Sequence, residues 1–380
     1  MRQIFSGSLI ILAFTLACTP IVEIEPTLNT YPTLSPTPNW PPVIGSDPSS
    51  QIAAFYHTWY LNPKYDNRWD HWNQSDFQPP LDIGSDFYPL LGAYSSNNPD
   101  VVAQHFAWMR QAGIGVVIAD WWGRGSPTDQ ALPLVLDMAD RYGLKVGFVL
   151  EQYDGRSADS LVSDIRYLKE LYGGHPALFW TTKTSIASPD NRKKALFFMW
   201  NTTQPKNGEP TAAFDYWQDT MDKVHNDETG AIVLTDEYYS SYRKESHFDG
   251  SYNYGVLDID PIGYTYALNM PLDAWYVPGI NPGFSAWRIG YDPVLDTPRR
   301  DGQTFIDRWK RMFAVGVEPE MIVITTFNEW HEGTQIEPAQ PIALTSDGEA
   351  YLDYGDLGPE GYLKLTREWV DHFLTYDWPE

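Results

Sequence analysis

The sequence predicts a (β/α)8 TIM barrel, an α/β fold in which eight parallel strands alternate with helices. Three observations predict it. Apolar strand-like runs alternate with amphipathic stretches over residues 51–380, most runs end in polar or aromatic residues, and no glycine-rich phosphate loop follows the first run. The missing loop argues against the alternative, an open doubly wound sheet. Since parallel strands of a barrel end on one face, we expect the polar run ends to share a site.

Eight runs are predicted as strands from their β-branched and aromatic content. In chain order they are Ile52–Trp59, Gly115–Trp122, Lys145–Gln152, Ala195–Trp200, Ala231–Tyr238, Phe248–Tyr254, Ala274–Gly279 and Met321–Phe327. Apolar residues recur at helical spacing in Pro99–Ala112, Asp129–Tyr142, Ser157–Tyr172, Ala212–Val224 and Gly302–Val315. Residues 51–380 are therefore predicted to form a single barrel domain.

The N-terminus is predicted to be a targeting segment. Its apolar stretch, Leu9–Leu16, is too short to span a bilayer and leads into T-L-A-C, which ends at Cys18. Residues 1–17 are predicted to be a signal peptide whose removal exposes Cys18 for lipidation, although Thr15 stands where such signals usually have leucine. The alternative is an ordinary signal peptide cut near Ala17. Cys18 is the only cysteine in the chain, which excludes an intrachain disulfide.

Residues 18–50 are predicted to be the lipidated cysteine and a tether. Thr19–Ser50 contains eight prolines and no lysine or arginine. Such a segment buries too little apolar surface to fold, and its prolines favour an extended conformation. We therefore expect an extracytoplasmic, bacterial cell-surface lipoprotein that is monomeric and contacts the membrane only through its lipid anchor.

The composition narrows the choice of partner. The formal net charge is −24, which disfavours nucleic acids and anionic membranes because both require a basic surface. The chain is 43% hydrophobic and contains 16 Trp and 24 Tyr, enough for a sizeable core with aromatic rings left over. Neutral glycans fit this composition better than charged polymers do.

Motifs for other enzyme classes are incomplete. His331-Glu332 begins like a helical zinc-protease motif, but Gln335 stands where the second histidine must be. The sequence has no Cys/His cluster for zinc and no G-x-S-x-G elbow for a serine hydrolase. We therefore expect neither a metal nor a cofactor.

The most informative stretch is Ile322–Pro338, which reads I-V-I-T-T-F-N-E-W-H-E-G-T-Q-I-E-P. Its β-branched run stops at a polar and aromatic group that comprises Asn328, Glu329, Trp330, His331 and Glu332. This pattern is typical of a buried strand whose C-terminal end opens into a polar site. Two carboxyl groups beside aromatic residues suit chemistry on a sugar, because glycosidic cleavage needs a protonated acid at the leaving oxygen and a second carboxylate.

Five other runs also end in residues that a core does not need. These ends are Tyr56-His57, Asp120-Trp121-Trp122, Glu151-Gln152-Tyr153, Asp236-Glu237-Tyr238 and Tyr252-Asn253-Tyr254. For any one of these residues, capping a helix or lying at the barrel rim is an equally good explanation. As a set they favour a carbohydrate cleft, in which rings stack on sugar faces and carboxylates bind hydroxyls.

The stretch Phe327–Glu337 resembles the signature of glycoside hydrolase family 99, the endo-α-1,2-mannosidases and mannanases. Supporting stretches are F-Y-H-T-W-Y (55–60), H-W (71–72), F-Y-P-L-L-G-A-Y-S-S-N-N-P (87–99), E-x-Y-x-G-R (151–156) and F-D-G-S-Y-N-Y (248–254). The resemblance extends from about residue 52 to 375. Related barrel domains attached to glycosyltransferases carry Gly after N-E-W, so the continuation H-E-G-T-Q favours the hydrolase branch.

The resemblance implies a retaining, endo-acting α-glycosidase that cleaves α-mannosidic bonds in oligo- or polysaccharides without a metal. Glu329 would take the proton of the 2-hydroxyl, whose oxygen attacks the anomeric carbon to give a 1,2-anhydro sugar. Glu332 would be the general acid and then the general base. By similarity, the sugar-binding residues would be Glu151 and Tyr252 with Trp121 or Trp122 as a platform, and the further candidates are Tyr56, His71, Tyr153, Tyr254, Asn328, Trp330 and His331.

The chain departs from the family pattern at two places. Val149 and Gln152 stand where the family usually has His and Pro, and the A-D-W-W-G stretch is also unusual. We expect the substrate to differ from the standard glucosyl- or mannosyl-α-1,3-mannose unit. Two other classes stay open: a glycan-binding lipoprotein with a dead site, against which the intact Glu329 and Glu332 argue, and a transglycosylase or other glycan-processing enzyme on the same barrel.

Overall fold

The computed structural model describes residues 40–45, 47–204, 212–228, 230–237, 240–255 and 274–379. These residues belong to the compact unit Trp40–Glu380. The predicted signal peptide, Cys18 and most of the predicted tether lie outside the described residues.

The described residues contain ten strands. They are β1 (Ser49–Tyr56), β2 (Ile114–Trp121), β3 (Lys145–Leu150), β4 (Trp180–Thr181), β5 (Lys194–Met199), β6 (Gly230–Thr235), β7 (Gly250–Tyr252), β8 (Trp275–Val277), β9 (Gly279–Ile280) and β10 (Ile322–Ile324). Nine form one parallel sheet in the order β8-β7-β6-β5-β3-β2-β1-β10-β9, while β4 adds to β5 in the antiparallel sense. Each of the eight predicted strands overlaps a strand of this sheet, and β4 was not predicted.

The sheet closes through Pro278. This proline alone separates β8, which pairs with β7, from β9, which pairs with β10. Proline has no N–H to donate to a neighbouring strand, but its carbonyl accepts a hydrogen bond from the Val323 N–H at 3.0 Å. The strands β8 and β9, which are first and last in the sheet order, are therefore two halves of one run. Counted as one strand, they leave eight strand positions around a closed ring. The predicted (β/α)8 barrel is confirmed.

The described part of the chain contains eight helices. They are α1 (Pro63–Asp66), α2 (Pro99–Gln111), α3 (Pro127–Tyr142), α4 (Ala158–Tyr172), α5 (Gln218–His225), α6 (Ser240–Glu245), α7 (Gln303–Val315) and α8 (Gly361–Leu374). All five predicted helices overlap observed ones. Capping hydrogen bonds explain where three of these helices begin. The side chains of Asn98, Ser126 and Ser157 accept hydrogen bonds from backbone N–H groups in the first turns of α2, α3 and α4.

Strand periodicity divides the core into two layers. Side chains alternate between the faces of a strand, so Ala53 and Phe55 of β1 pack inside the barrel with Val116 and Ile118 of β2. Their neighbours Ile52, Ala54 and Tyr56 point outward and pack in the layer between the strands and the helices. The same alternation continues past the strand ends, and it decides which residues reach the mouth of the barrel.

Among the described residues, each helix is either too short or too polar to span a lipid bilayer.

Candidate active site

The segment after β10 forms a tight loop at the barrel mouth. The Glu329 N–H donates to Oγ1 of Thr326 at 2.7 Å, and the Ile336 N–H returns to the carbonyl of Thr326 at 3.0 Å. Gly333 makes the reversal, because its φ is +60° and a Cβ there would lie 2.6 Å from the carbonyl oxygen of Ser285. Glycine is the residue that adopts this conformation without a steric cost.

Asn328 connects this loop to the end of β1. Its Oδ1 accepts from the His57 N–H at 2.7 Å and its Nδ2 donates to the His57 carbonyl at 2.8 Å. Asn328 is fully buried, so these two bonds stand in for backbone pairing between the loop and the strand. They hold His57 and Glu329 on the same wall of the mouth.

A hydrogen-bonded cluster supports the loop from beneath. Glu337 accepts at Oε2 from Trp330 Nε1 at 2.9 Å and from the Tyr94 hydroxyl at 2.8 Å. At Oε1 it accepts from His105 Nε2 at 3.1 Å, which leaves the other ring nitrogen of His105 to accept from the Tyr56 hydroxyl at 3.0 Å. The cluster fixes the loop against α2 without contributing to the mouth.

The loop borders a cavity of about 140 Å³ at the barrel mouth. Its polar lining consists of His57, Glu151, Glu329 and Glu332, and its aromatic and apolar lining consists of Phe55, Trp59, Trp122, Val149, Trp200, Tyr252 and Tyr254. Each lining residue comes from the C-terminal end of a strand or from the loop after it, as active-site residues of barrel enzymes do.

Burial dominates the electrostatics of Glu329. Oε1 accepts a hydrogen bond from the His331 N–H at 2.9 Å, while Oε2 lies 3.8 Å from His57 Nε2 and has no hydrogen-bond partner among the described residues. Loss of hydration, together with the nearby charge of Glu332, raises the pKa of Glu329 to about 8 despite the opposing effect of His57.

Glu332 is partly exposed to the cavity and accepts a hydrogen bond at Oε2 from the Tyr254 hydroxyl at 3.2 Å. Burial raises its pKa above the usual value for a glutamate. The two glutamates are coupled, because ionising one disfavours ionising its neighbour. One carboxyl of the pair can thus hold a proton while the other is ionised, which is the arrangement that acid/base chemistry requires.

Glu151 supplies a third carboxyl group directly after β3. Burial raises its pKa to about 8, and His57 and Arg156 oppose that effect. Arg156 is itself fully buried and donates to the carbonyls of Leu150, Trp200 and Asn201 at 2.6–3.0 Å. It therefore ties the ends of β3 and β5 together behind Glu151.

An aromatic cleft of about 270 Å³ adjoins the cavity. Trp59 and Trp122 line both spaces, and His71 stacks on Trp59 with the ring centres 4.8 Å apart and the planes 6° apart. Asp70 lines the same cleft. Flat rings beside a carboxyl group match the apolar face and the hydroxyls of a sugar, so the cleft can extend the binding surface beyond the carboxyl cluster.

The structure brings most of the predicted site residues together. Glu329, Glu332, Glu151, Trp122, Tyr252 and Tyr254 line the cavity, and His71 lines the cleft. His331 is nearly buried beside them, with its N–H on Glu329 and its Nε2 donating to the His71 carbonyl at 3.0 Å. Burial lowers the pKa of His331 to about 3, so its ring is neutral.

Five residues predicted to bind substrate lie elsewhere. Tyr56 and Trp121 are one residue out of phase with the inward face of β1 and β2: Tyr56 bonds to His105, and Trp121 Nε1 donates to Asp129 at 2.8 Å. Both point to the helix layer. The Tyr153 ring packs on Trp121, and its hydroxyl contacts Asp164. Asn328 and Trp330 are fully buried under the loop. None of these five side chains lines the cavity or the cleft.

Several residues at the mouth were not among the predicted substrate-binding residues, although His57 and Asp120 belong to polar run ends that the sequence analysis named. His57 follows Phe55 on the inward face of β1, Asp120 occupies the corresponding position on β2, and Trp59 lies on the wall shared by the cavity and the cleft. The signal that could have found the first two is the period of two, because inward residues of a strand continue to point inward just past its end.

No cluster of three or more His, Cys, Asp or Glu side chains that could hold a metal ion occurs within the described ranges. The chemistry available at the mouth is that of carboxyl groups, an imidazole and hydroxyls beside aromatic rings. A barrel with paired carboxyl groups and a ring-lined cleft at its C-terminal face defines a glycosidase-type site.

Comparison with known proteins agrees with this class. Residues 49–375 match the family described as glycosyl hydrolase family 99. The glycoprotein endo-alpha-1,2-mannosidase of Mus musculus is 32% identical over 358 residues, which cover 85% of this chain and 74% of that protein. A protein of the same name from Xenopus laevis is 31% identical over 359 residues, covering 86% and 78%.

The fold comparison points the same way. The solved structure of the GH99 endo-alpha-mannosidase from Bacteroides thetaiotaomicron has a TM-score of 0.74 and 28% identity to this protein, and the match covers 86% of this chain and 98% of that one. The chain belongs to glycosyl hydrolase family 99 and is a glycan-cleaving glycosidase.

Glu151→Gln should stabilise the protein in a pH-dependent way. Burial raises the pKa of Glu151 from 4.5 to about 8, so between these values the folded state keeps a proton that the unfolded chain has lost. Stability from this group is present at low pH and falls as the pH rises through that window. Because glutamine does not ionise, the variant should melt at a higher temperature than wild type at pH 8 and at nearly the same temperature at pH 4.

Thermal melts of both proteins from pH 4 to 8.5 measure this difference. Glu170→Gln on the exposed face of α4 is the matched control and should show no pH-dependent difference from wild type. A melting difference for Glu151→Gln that stays constant with pH would contradict the origin assigned to the raised pKa.

Proposed function

We propose that this protein is a retaining, endo-acting α-mannosidase that cleaves glycans or mannans with the participation of the substrate's 2-hydroxyl. The observation that carries the proposal is the pair Glu329 and Glu332, which line one cavity and both have raised pKa values. The names of its relatives from Mus musculus and Bacteroides thetaiotaomicron, both endo-alpha-mannosidases, support the choice of sugar.

The proposed first step forms a bond within the substrate. In an α-mannoside the 2-hydroxyl and the leaving group are both axial and lie on opposite faces of the ring. Glu329 takes the 2-hydroxyl proton, the oxygen attacks the anomeric carbon, and the bond to the leaving oxygen breaks as Glu332 gives that oxygen a proton. The products are a 1,2-anhydro sugar, a protonated Glu329 and an ionised Glu332.

The second step returns both protons. Glu332, now ionised, takes a proton from water, which attacks the anomeric carbon and opens the anhydro ring. Glu329 gives its proton back to the 2-oxygen. Two displacements at the anomeric carbon give net retention, and each carboxyl group ends in its initial state. The raised pKa of Glu332 suits the acid role, because a protonated carboxyl is needed at neutral pH.

The remaining cavity residues support sugar binding. The exposed face of Trp122 and the ring of Trp59 offer stacking surfaces, and Glu151 offers a carboxyl group to sugar hydroxyls. Val149 places an apolar side chain in the cavity where the family usually has histidine. We propose that this exchange changes the sugar accepted next to the cleaved unit.

Glu332→Gln should nearly abolish turnover and leave binding intact, because the amide keeps the shape of the side chain but has no proton to give. We expect the rate on a natural α-mannan to fall by about 10²- to 10⁴-fold. Product release measured by chromatography and affinity measured by calorimetry test the two parts separately. Glu318→Gln, an exposed glutamate before β10, is the matched control. Near-normal cleavage by Glu332→Gln would show that Glu332 is not the general acid.

Replacing the 2-hydroxyl at the cleaved bond should block the reaction. A 2-deoxy or 2-O-methyl substrate has no proton for Glu329 to take and no 2-oxygen able to close the ring, so it should bind and resist cleavage. Glu329→Gln should lose turnover on the natural substrate in the same way. A sugar ester trapped on Glu329 and detected by mass spectrometry would instead show that this carboxylate is the nucleophile of an ordinary retaining enzyme.

We also propose that the protein is a monomeric, extracytoplasmic lipoprotein of the bacterial cell surface, anchored through Cys18. The short apolar segment before Cys18 and the proline-rich stretch after it support this proposal. A lipid on this residue would hold the barrel near a membrane while the tether gives it reach to a polymeric substrate.

Wild-type protein should partition into membranes and carry a lipid on its N-terminal residue after processing. Cys18→Ser should abolish the lipid and release the protein to the soluble fraction. Detergent partitioning and mass spectrometry of the mature N-terminus measure both. An unmodified N-terminus produced by a cut away from Cys18 would contradict the anchor, and it would leave the proposed hydrolase activity untouched.

A further inference from the structure

The imidazole of His57 lies between two acidic groups in the cavity wall. Its Nδ1 lies 3.9 Å from Oδ2 of Asp120 and its Nε2 lies 3.8 Å from Oε2 of Glu329. None of these four atoms has a hydrogen-bond partner among the described residues, and all are buried. The ring therefore has a carboxyl oxygen on each side, at ion-pair distance and beyond hydrogen-bond distance.

The geometry of this ring is held by contacts outside the cavity. The backbone of His57 is bonded on both sides to Asn328, and the ring stacks on Trp59 with centres 4.3 Å apart. Oδ1 of Asp120 accepts from the backbone N–H and the hydroxyl of Thr58 at 2.8 and 2.9 Å, which directs Oδ2 toward His57. These contacts fix the order Asp120, His57, Glu329 across the mouth.

We propose that His57, held by Asp120, is a positioning residue whose positive charge favours the ionised form of Glu329, the form that accepts the proton of the substrate's 2-hydroxyl. This inference rests on the proposed function and assigns a role to a residue that the two-carboxylate mechanism does not use. A cation 3.8 Å from Oε2 favours the ionised carboxylate and so opposes the effect of burial, which favours the protonated form of Glu329.

The surroundings of His57 agree with a protonated ring. Burial lowers the pKa of His57, but contact with Asp120 and the charges of Glu329, Asp120 and Glu151 outweigh burial and raise it to about 9. The titratable groups that face it come from β2, β3, the segment after α1 and the loop after β10, and they are Asp120, Glu151, His71, Glu329, His331 and Glu332. Burial lowers the pKa values of His71 and His331, so these neighbours are neutral.

The separation of 3.8 Å also leaves a place for substrate. An oxygen atom about 2.8 Å from both His57 Nε2 and Glu329 Oε2 is geometrically allowed, since hydrogen bonds of that length are ordinary. The 2-hydroxyl can occupy this position and give its proton to Glu329 while His57 stays charged beside them.

His57→Gln should move the acidic limb of the pH profile of kcat/KM upward by about one pH unit or more, because loss of the cation raises the pKa of the base. Below that limb the rate should fall about tenfold for each pH unit by which the limb moves. His57→Lys, which restores a positive charge, should move the limb back toward wild type. His175→Gln, at a partly exposed position outside the cavity and the cleft, is the matched control and should leave the profile unchanged.

A substrate-independent measurement separates this inference from the proposed function. In wild-type protein labelled at its histidines, the NMR signal that disappears in His57→Gln should titrate near pH 9, and Asp120→Asn should lower that midpoint. Asparagine keeps an Oδ1 for the two Thr58 bonds, so the loop should stay folded, which circular dichroism checks.

The outcomes are distinct. A His57 signal that titrates near 6.5, or a folded His57→Gln variant whose acidic limb does not move, overturns the role of His57. Wild-type protein that cleaves no α-mannan overturns the proposed function instead, and in that case the histidine titration still decides whether the charged Asp120–His57–Glu329 arrangement exists.

Discussion

The low hydration of the barrel mouth is the constraint on which the site depends. Glu151, Glu329 and Glu332 all have raised pKa values, and burial is the largest cause for each. An exposed glutamate would be ionised at neutral pH and could not serve as an acid. The ring of aromatic residues excludes water, so that protonated and ionised carboxyl groups coexist at the mouth. Exclusion of water also strengthens the interaction of each carboxyl group with nearby charges.

Burial of the carboxyl groups at the mouth is unfavourable for the stability of the folded protein, and hydrogen bonds in the surrounding structure compensate for it. Arg156 satisfies three carbonyls behind Glu151, and Asn328 replaces backbone pairing between β1 and the loop after β10. Beneath the loop, Glu337 joins Trp330, Tyr94 and His105. These buried polar groups are paired, so they rigidify the loop that presents Glu329 and Glu332. Rigidity of this kind keeps the two carboxyl groups in place before substrate arrives.

Much of the fold could be predicted because the relevant signals are local. Each of the eight apolar runs overlaps an observed strand. Two of the helices begin next to capping residues, Asn98 and Ser157, at the predicted starts. The split of one run at Pro278 was not predicted, because its effect depends on which neighbours pair with each half. The helices α1, α6 and α8 were not predicted either.

The sequence by itself determined the class of site: Glu329 and Glu332 follow a buried run, and the motif around them indicates a family. Only the tertiary structure decided which neighbours reach the substrate. Tyr56 and His57 are adjacent in sequence, yet the pleat of β1 directs one to α2 and the other into the mouth. Asp120 and Trp121 separate in the same way on β2. The charge of each group depends on neighbours that are distant in sequence and come together only when the sheet closes. No local sequence pattern encodes the distances between these groups.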